Sequence, residues 1–557
     1  MYQRFFILLI CFLLSSPILS GQRDFYDSFT FTRADSLRGM LSPERSCFDV
    51  TYYALDIRVE PDKRFISGFV DVAYTVVEDF TRLQLDLFAN MDIEKIEYKG
   101  KKLHYSREFQ AVFVDLPAQK KGQHGKIRVY YHGQPQRAVN APWDGGFVWK
   151  TDLNANDWIA VACEGDGASL WWPTKDHLSD EPDSVSITVS VPDPLVCVSN
   201  GQLLSAKSDP KHLGYTRYHW FVSYPINNYN ITLNIGDYVH FADVYESADG
   251  DQLDLDFYVL SYNLERAKTH FRQVNQTLAC FENYFGKYPF WNDGFGMVET
   301  PYLGMEHQGA IAYGNNYMRG YLGAMIPSDM NWDYIIVHET GHEYFGNSIS
   351  IGDLSEMWIH ESFTTYMEAL FVECSYSYQD AIRYLEGQKP FIINAQPILG
   401  PMGVNWEKWS SSDHYFKGSW VLHTLRHAIN DDVLWFDLLR GFYDKHVRSI
   451  VTTEDFISYV NEATGKDFRP FFEQYLWYSN PPTLVYRLTE IEHDLVVEYK
   501  WLADVSDFNM PVRIGIPSRT QMVTPNTKAF QKLLLPNCRI EDFYIATDRF
   551  YIRTKKE

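Results

Sequence analysis

Apolar and polar positions change their period twice along this chain. From about residue 45 to 235 they alternate in short runs, as in Ile66-Ser67-Gly68-Phe69-Val70-Asp71-Val72-Ala73-Tyr74 and Ser184-Val185-Ser186-Ile187-Thr188-Val189. Successive strand side chains point to opposite faces of a sheet, so this period of two predicts half-buried strands. From about 255 to 480 the period lengthens to that of a helix. Thr453, opening Thr453-Glu454-Asp455-Phe456, is the expected cap of one such helix, and Gly465 its expected stop. Beyond Asn480-Pro481-Pro482 alternation returns in Leu495-Val496-Val497-Glu498-Tyr499 and Val512-Arg513-Ile514-Gly515-Ile516, which predicts a small β-sandwich.

The first residues follow neither period. Arg4 precedes an unbroken apolar run from Phe5 to Leu14, and Ser15 to Gly21 supply small residues. That is the build of a signal peptide, and the run is too short for a membrane-spanning helix. No later stretch is long enough to span either. The expected division is a signal peptide at 1–21, a loose leader at 22–44, a β-rich N-terminal domain at 45–240, an α+β domain at 241–480 and a β-sandwich at 481–557. The fold class is therefore multidomain α+β, and the location exported, periplasmic or secreted.

Within the helical region stands His338-Glu339-Thr340-Gly341-His342, with eighteen residues between His342 and Glu361. Residues four apart share a helix face, so His338 and His342 can hold one ion. Glu361 can supply a third ligand and leave the fourth position open, as a catalytic zinc site requires. Glu339 can take a proton from the attacking water. The flanks, Tyr334-Ile335-Ile336-Val337 and Tyr344-Phe345-Gly346-Asn347, are apolar enough to bury the segment, so its histidines and glutamates need partners. Residues 358, 359, 363, 366 and 367 suit a second helix packed beside the first. One zinc per chain is the expected cofactor.

This spacing resembles the signature of the gluzincin aminopeptidases, the family of aminopeptidase N and leukotriene-A hydrolase. Three further segments resemble that family's motifs, in the family's order. Tyr302-Leu303-Gly304-Met305-Glu306-His307 is similar to its exopeptidase motif, which implies substrate contacts by Gly304, Met305 and Glu306. Ala162-Cys163-Glu164-Gly165, with Pro173 and Asp176 following, is similar to the segment carrying a second amine-binding residue, here Glu164. Tyr415-Phe416-Lys417-Gly418 is similar to the segment whose tyrosine stabilises the oxyanion. The resemblance covers roughly residues 45 to 480. It implies a thermolysin-like catalytic domain and an exported member without the family's C-terminal helical-repeat domain. It also implies removal of N-terminal residues from peptides, with Glu339 as general base and Glu306 and Glu164 gripping the free α-ammonium.

The chain departs from the family at His307 for asparagine, at Ile359, His360 and Ser362 for the residues flanking Glu361, and at Glu343 for glutamine. His360 is expected to orient the zinc site from behind, and Glu356 to accept from a zinc histidine's free ring nitrogen. Two other readings compete: an epoxide hydrolase on the same zinc site, or a binding module on a peptidase fold without catalysis. The intact acid, ligand and tyrosine set argues against the latter.

Composition narrows the partners. A formal charge of −22 disfavours nucleic acid and anionic membranes, which call for basic patches, and weakly favours cationic peptides; peptides with a free N-terminus are the substrates that the resemblance implies. Six cysteines lie beyond the signal peptide, scattered and without a C-x-x-C pair, so neither a zinc ribbon nor a redox pair is expected, and the thiols are read as mostly free and buried.

Overall fold

A computed structural model describes residues 25–557; the signal-peptide segment lies outside the described residues. The alternating N-terminal region folds into three sheets. The largest runs Gln202–Ser208, Tyr215–Val222, Ser184–Pro192, Phe48–Glu60, Phe65–Val76, His124–Gly133, Met91–Tyr98 and Lys101–Lys102. Its long central pair, Phe48–Glu60 with Phe65–Val76, buries Tyr53, Leu55, Ile57, Val59, Val70 and Val72 on the alternate positions that the pattern marks. A four-stranded sheet, in the order Val196–Val198, Asn234–Gly236, Asp157–Ala162 and Gly146–Thr151, carries Glu164 just beyond one of its strand ends.

The second region opens with a five-stranded sheet in the order Tyr238–Glu246, Gln252–Leu260, Phe295–Glu299, Ile311–Tyr313 and Gly304–Met305. Its first strand straddles the expected boundary at residue 240. Helices Tyr334–His342, Trp358–Ser375 and Asp413–Ile429 follow, and the first packs against both the sheet and the second helix. At the helix Thr453–Thr464 the cap sits one residue earlier than expected. Thr452 accepts from the Asp455 amide while the Asp455 carboxylate accepts from Thr452, a reciprocal capping box, so Thr453 is already inside the first turn. Gly465 ends that helix in the left-handed conformation, as expected.

Two sheets form the C-terminal region: Gln531–Leu535, Asp494–Leu502, Thr483–Ile491 and Arg553–Lys556 in one, Arg519–Val523, Val512–Ile516 and Tyr544–Ile545 in the other. Their buried Leu484, Val497, Trp501 and Ile514 join the same apolar core as the helical region. One sequence expectation is corrected here. Residues 25–44 are not a loose leader: they form the helix Arg33–Gly39, docked through buried Leu37 on Ala111 and Phe113, and lead into Arg45, wholly buried and paired with Asp86 at 2.8 Å. Cys280 and Cys374 are joined in a disulfide between the helices Gln273–Tyr284 and Trp358–Ser375, leaving Cys47, Cys163, Cys197 and Cys538 free and buried. Among the described residues no helix is long and apolar enough to cross a membrane.

Candidate active site

Asp333 starts the helix that carries the first two candidate ligands. Its Oδ1 accepts from the Ile335 and Ile336 amides, and Oδ2 accepts from Tyr313 Oη and lies 2.7 Å from His270 Nε2. An N-cap worth about 1 kcal/mol is thus fastened to the sheet, which sets the helix rotation and the direction of its ligand face. His338 and His342 then sit one turn apart, with their Nε2 atoms 3.1 Å from each other. Glu361, on the neighbouring helix, places Oε2 3.6 Å from His338 Nε2 and 3.4 Å from His342 Nε2.

The opposite ring nitrogens are held from behind. His338 Nδ1 is 2.7 Å from Glu368 Oε1, and His342 Nδ1 is 3.0 Å from the Phe345 carbonyl. Both are acceptors, so each Nδ1 carries the proton and each Nε2 turns a lone pair inward. Two lone pairs facing a carboxylate oxygen across a buried gap repel unless a cation lies among them. Glu361 Oε2 has no hydrogen-bond partner within the protein. The three ligand atoms lie within 4.8 Å of one another, and the nitrogen–nitrogen–oxygen set is the one zinc takes in catalytic sites. The residues present therefore fit a zinc ion.

Glu368 was missed at the sequence level, although it stands two helical turns after Glu361 on the same face. Its other oxygen accepts from Tyr384 Oη, which fixes the carboxylate against rotation. The residue expected in this role, Glu356, instead accepts from the Thr453 amide at 2.7 Å, because it precedes the helix and points towards a different helix start. His360 is buried with neither ring nitrogen partnered, so it supports no ligand through a hydrogen bond. Glu368→Ala is expected to weaken zinc binding about 10- to 100-fold, read by competition with a chelator; unchanged affinity would remove Glu368 from the site.

The other expected residues converge on the same place. Gly304 and Met305 form the edge strand along one wall. A Cβ at Gly304 would meet Glu339 Oε1 at 2.4 Å, so the bare glycine is what lets the proposed base lie against the strand. Burial pushes the Glu339 carboxyl up to about 8, against the pull of His338 and His342. Glu306 brings an oxygen within 4.8 Å of Glu339 and His342 ligand atoms and accepts from Tyr229 Oη at 3.0 Å. Tyr229, in the N-terminal domain, carries no signal in the sequence. Glu164 is half-buried, but its Oε1 is enclosed and unpartnered, and burial together with Glu306 holds its carboxyl well above the usual range.

Tyr415 Oη donates to Glu361 Oε1 at 2.7 Å. Burial and that carboxylate raise its phenol well above the ordinary value, so it remains a donor. The glycine three residues on explains its placement. A Cβ on Gly418 would fall 1.6 Å from Ser362 Oγ, so only glycine lets the helix Asp413–Ile429 cross the Glu361 helix this closely. Ser362 Oγ then donates to the His414 carbonyl at 2.7 Å, one residue before the tyrosine. His307 and Glu343 stay outside the cavity: the His307 ring is buried and unpartnered, and Glu343 accepts from the Gly309 amide at 2.9 Å and Tyr288 Oη at 3.1 Å.

His338, His342, Glu361, Glu339, Glu306, Glu164 and Tyr415 line one cavity of about 730 Å³ between the N-terminal and helical domains. Asp144, Glu164, Asp166, Glu306, Glu339, Glu361 and Glu407 face it, and no lysine or arginine is among its lining residues. Trp143, Trp406, Trp409, Phe391 and Phe416 add aromatic rings to its lining.

Comparison with known proteins agrees with this geometry. Residues 269–475 match the Peptidase family M1 domain. Aminopeptidase N of Lactococcus lactis subsp. lactis is 24% identical over 285 residues, 45% of this chain and 33% of that protein. Aminopeptidase B of Rattus norvegicus is 24% identical over 317 residues, 53% of this chain and 45% of that protein. The chain thus spans a third to under half of these relatives. Among solved structures, a mutant M1 zinc metallopeptidase from Deinococcus radiodurans bound to a Tyr-Ser-Ala substrate superposes with a TM-score of 0.65 at 19% identity, covering 78% of this chain and 94% of that one.

Proposed function

The chain belongs to the M1, or gluzincin aminopeptidase, family, and we propose that it is a zinc-dependent aminopeptidase that removes the N-terminal residue from peptides. The observation that carries the exopeptidase reading is the pairing of Glu164 and Glu306 beside the His338, His342 and Glu361 set, in a cavity with no lysine or arginine among its lining residues. Two carboxylates crowded together repel one another until a cation enters, and a free α-ammonium satisfies both by charge-assisted hydrogen bonds. An N-acetylated peptide offers no such charge.

Zinc held by His338, His342 and Glu361 would lower the pKa of the attacking water and polarise the scissile carbonyl. Glu339 takes the proton from that water and passes it to the leaving amine. Tyr415 donates to the oxygen on which charge develops. Glu306 and Glu164 hold the ammonium, so the first peptide bond is the one presented. Tyr229 fixes the Glu306 carboxylate through its hydroxyl.

An exported location is part of the same proposal. The apolar run from Phe5 to Leu14 supports it, as does the Cys280–Cys374 disulfide, a bond that persists in oxidising compartments.

A panel of aminoacyl-anilides and their N-acetylated forms, with and without chelator, tests the function. Hydrolysis of free-amine substrates alone, lost on chelation and regained with zinc, is the expected result. Cleavage of blocked substrates would overturn the exopeptidase assignment, and activity surviving chelation would overturn the metal.

A further inference from the structure

The docked segment before the first long strand reaches both sides of the cavity. At its start, Tyr26, Phe29 and Phe31 surround Trp406, with ring centroids at 5.1, 5.0 and 6.1 Å, and Tyr26 Oη donates to the Pro397 carbonyl at 3.1 Å. Trp406 is part of the cavity wall. At its other end, Arg38 extends its guanidinium past the Phe88 ring and donates to the Gly165 carbonyl at 2.7 Å. That carbonyl belongs to the residue directly after Glu164. Asn405, next to Trp406, donates to the same oxygen at 2.8 Å. The Arg38 nitrogen that makes this bond also lies 3.4 Å from Glu407.

The backbone at Arg38 is itself locked. Buried Arg45 donates to the Arg38 carbonyl at 2.7 Å and to the Met40 carbonyl at 3.0 Å while pairing with Asp86. A chain of fixed groups therefore runs from Asp86, at the end of the strand Phe80–Asp86, through Arg45 and Arg38 to the turn that follows Glu164. Glu164 has no hydrogen bond of its own at Oε1 to hold it against repulsion from Glu306. The Gly165 carbonyl, held by Arg38 and Asn405, fixes the backbone from which the Glu164 side chain extends.

From this geometry we infer that Arg38 is a positioning residue for recognition of the substrate ammonium: its bond to the Gly165 carbonyl fixes the turn that aims Glu164 beside Glu306. The inference rests on the aminopeptidase reading above. A charge-assisted bond to one backbone oxygen, with Asn405 remaining on the other side, is worth about a factor of ten in affinity.

The test compares wild-type protein, Arg38→Ala, Arg38→Lys and Asn405→Ala in the full chain. Each is titrated with leucine hydroxamate and with its amine-free analogue, 4-methylpentanoyl hydroxamate, alongside steady-state kinetics on a leucyl-anilide. For Arg38→Ala the expected result is a roughly tenfold rise in KM and in the leucine hydroxamate Ki, with kcat and the amine-free Ki within about threefold of wild type. Arg38→Lys retains one donor and is expected to recover most of the loss. Where Arg38→Ala is too unstable to assay, Asn405→Ala, which removes the second donor to the same oxygen, is expected to show the same split. Equal weakening of both hydroxamates, or no change in either, would overturn the inference. Failure of the wild type to prefer the amine-bearing hydroxamate would instead overturn the aminopeptidase reading.

Discussion

Replacing Glu339 with glutamine is expected to lower kcat by about 10²- to 10⁴-fold while zinc content stays at one per chain. Glutamine keeps the shape that Gly304 accommodates, since the Glu339 Oε1 lies against a position where even a Cβ would come within 2.4 Å. What it removes is the ability to accept a proton from the attacking water. His338, His342 and Glu361 keep their own supports on Glu368, Phe345 and Tyr415, so the metal is expected to remain. Metal analysis of the purified variant beside its kinetics separates the two effects. Loss of zinc with loss of activity would recast Glu339 as a ligand, and retention of activity would leave the reaction without a base.

Tyr415→Phe is expected to cost about 10²- to 10³-fold in kcat with little change in KM. The hydroxyl that donates to Glu361 at 2.7 Å is aimed at the ligand set, and burial keeps it protonated. A donor that meets charge only as it develops on the carbonyl oxygen acts in the transition state, so its loss falls on kcat. The phenylalanine ring fills nearly the same volume, and Gly418 against Ser362 still sets the helix crossing. A rise in KM with unchanged kcat would show that Tyr415 binds substrate without stabilising the oxyanion.

The zinc site was legible because its determinants are local or nearly so. His338 and His342 are one turn apart, and a fixed spacing to Glu361 brings the next helix alongside. The alternating N-terminal strands were legible for a similar reason: with one face buried, a period of two has a single solution. Sequence patterning failed where partners lie far apart along the chain. Glu368 was within reach of the helical period, but choosing it over Glu356 needs to know that Glu356 turns to Thr453. Tyr229 meets Glu306 from another domain, and nothing around either residue marks the other. The leader shows the same limit. Its few apolar residues look insufficient to order a segment, and they suffice because Leu37 finds Phe113, Arg45 finds Asp86 and three rings find Trp406.

Residue identity and spacing alone mark the three candidate ligands, the proposed base, the order of the motifs and the β–α–β progression along the chain, because helical and strand periodicity convert short distances in sequence into short distances in space. Which group backs each histidine, what holds the turn after Glu164 and what the residues from 25 to 46 do were settled by tertiary packing. Some of those contacts join residues more than a hundred positions apart, such as Arg38 with Gly165 and Asn405 with Gly165. No period in a sequence encodes such a distance; burial and hydrogen bonding in the assembled fold select it.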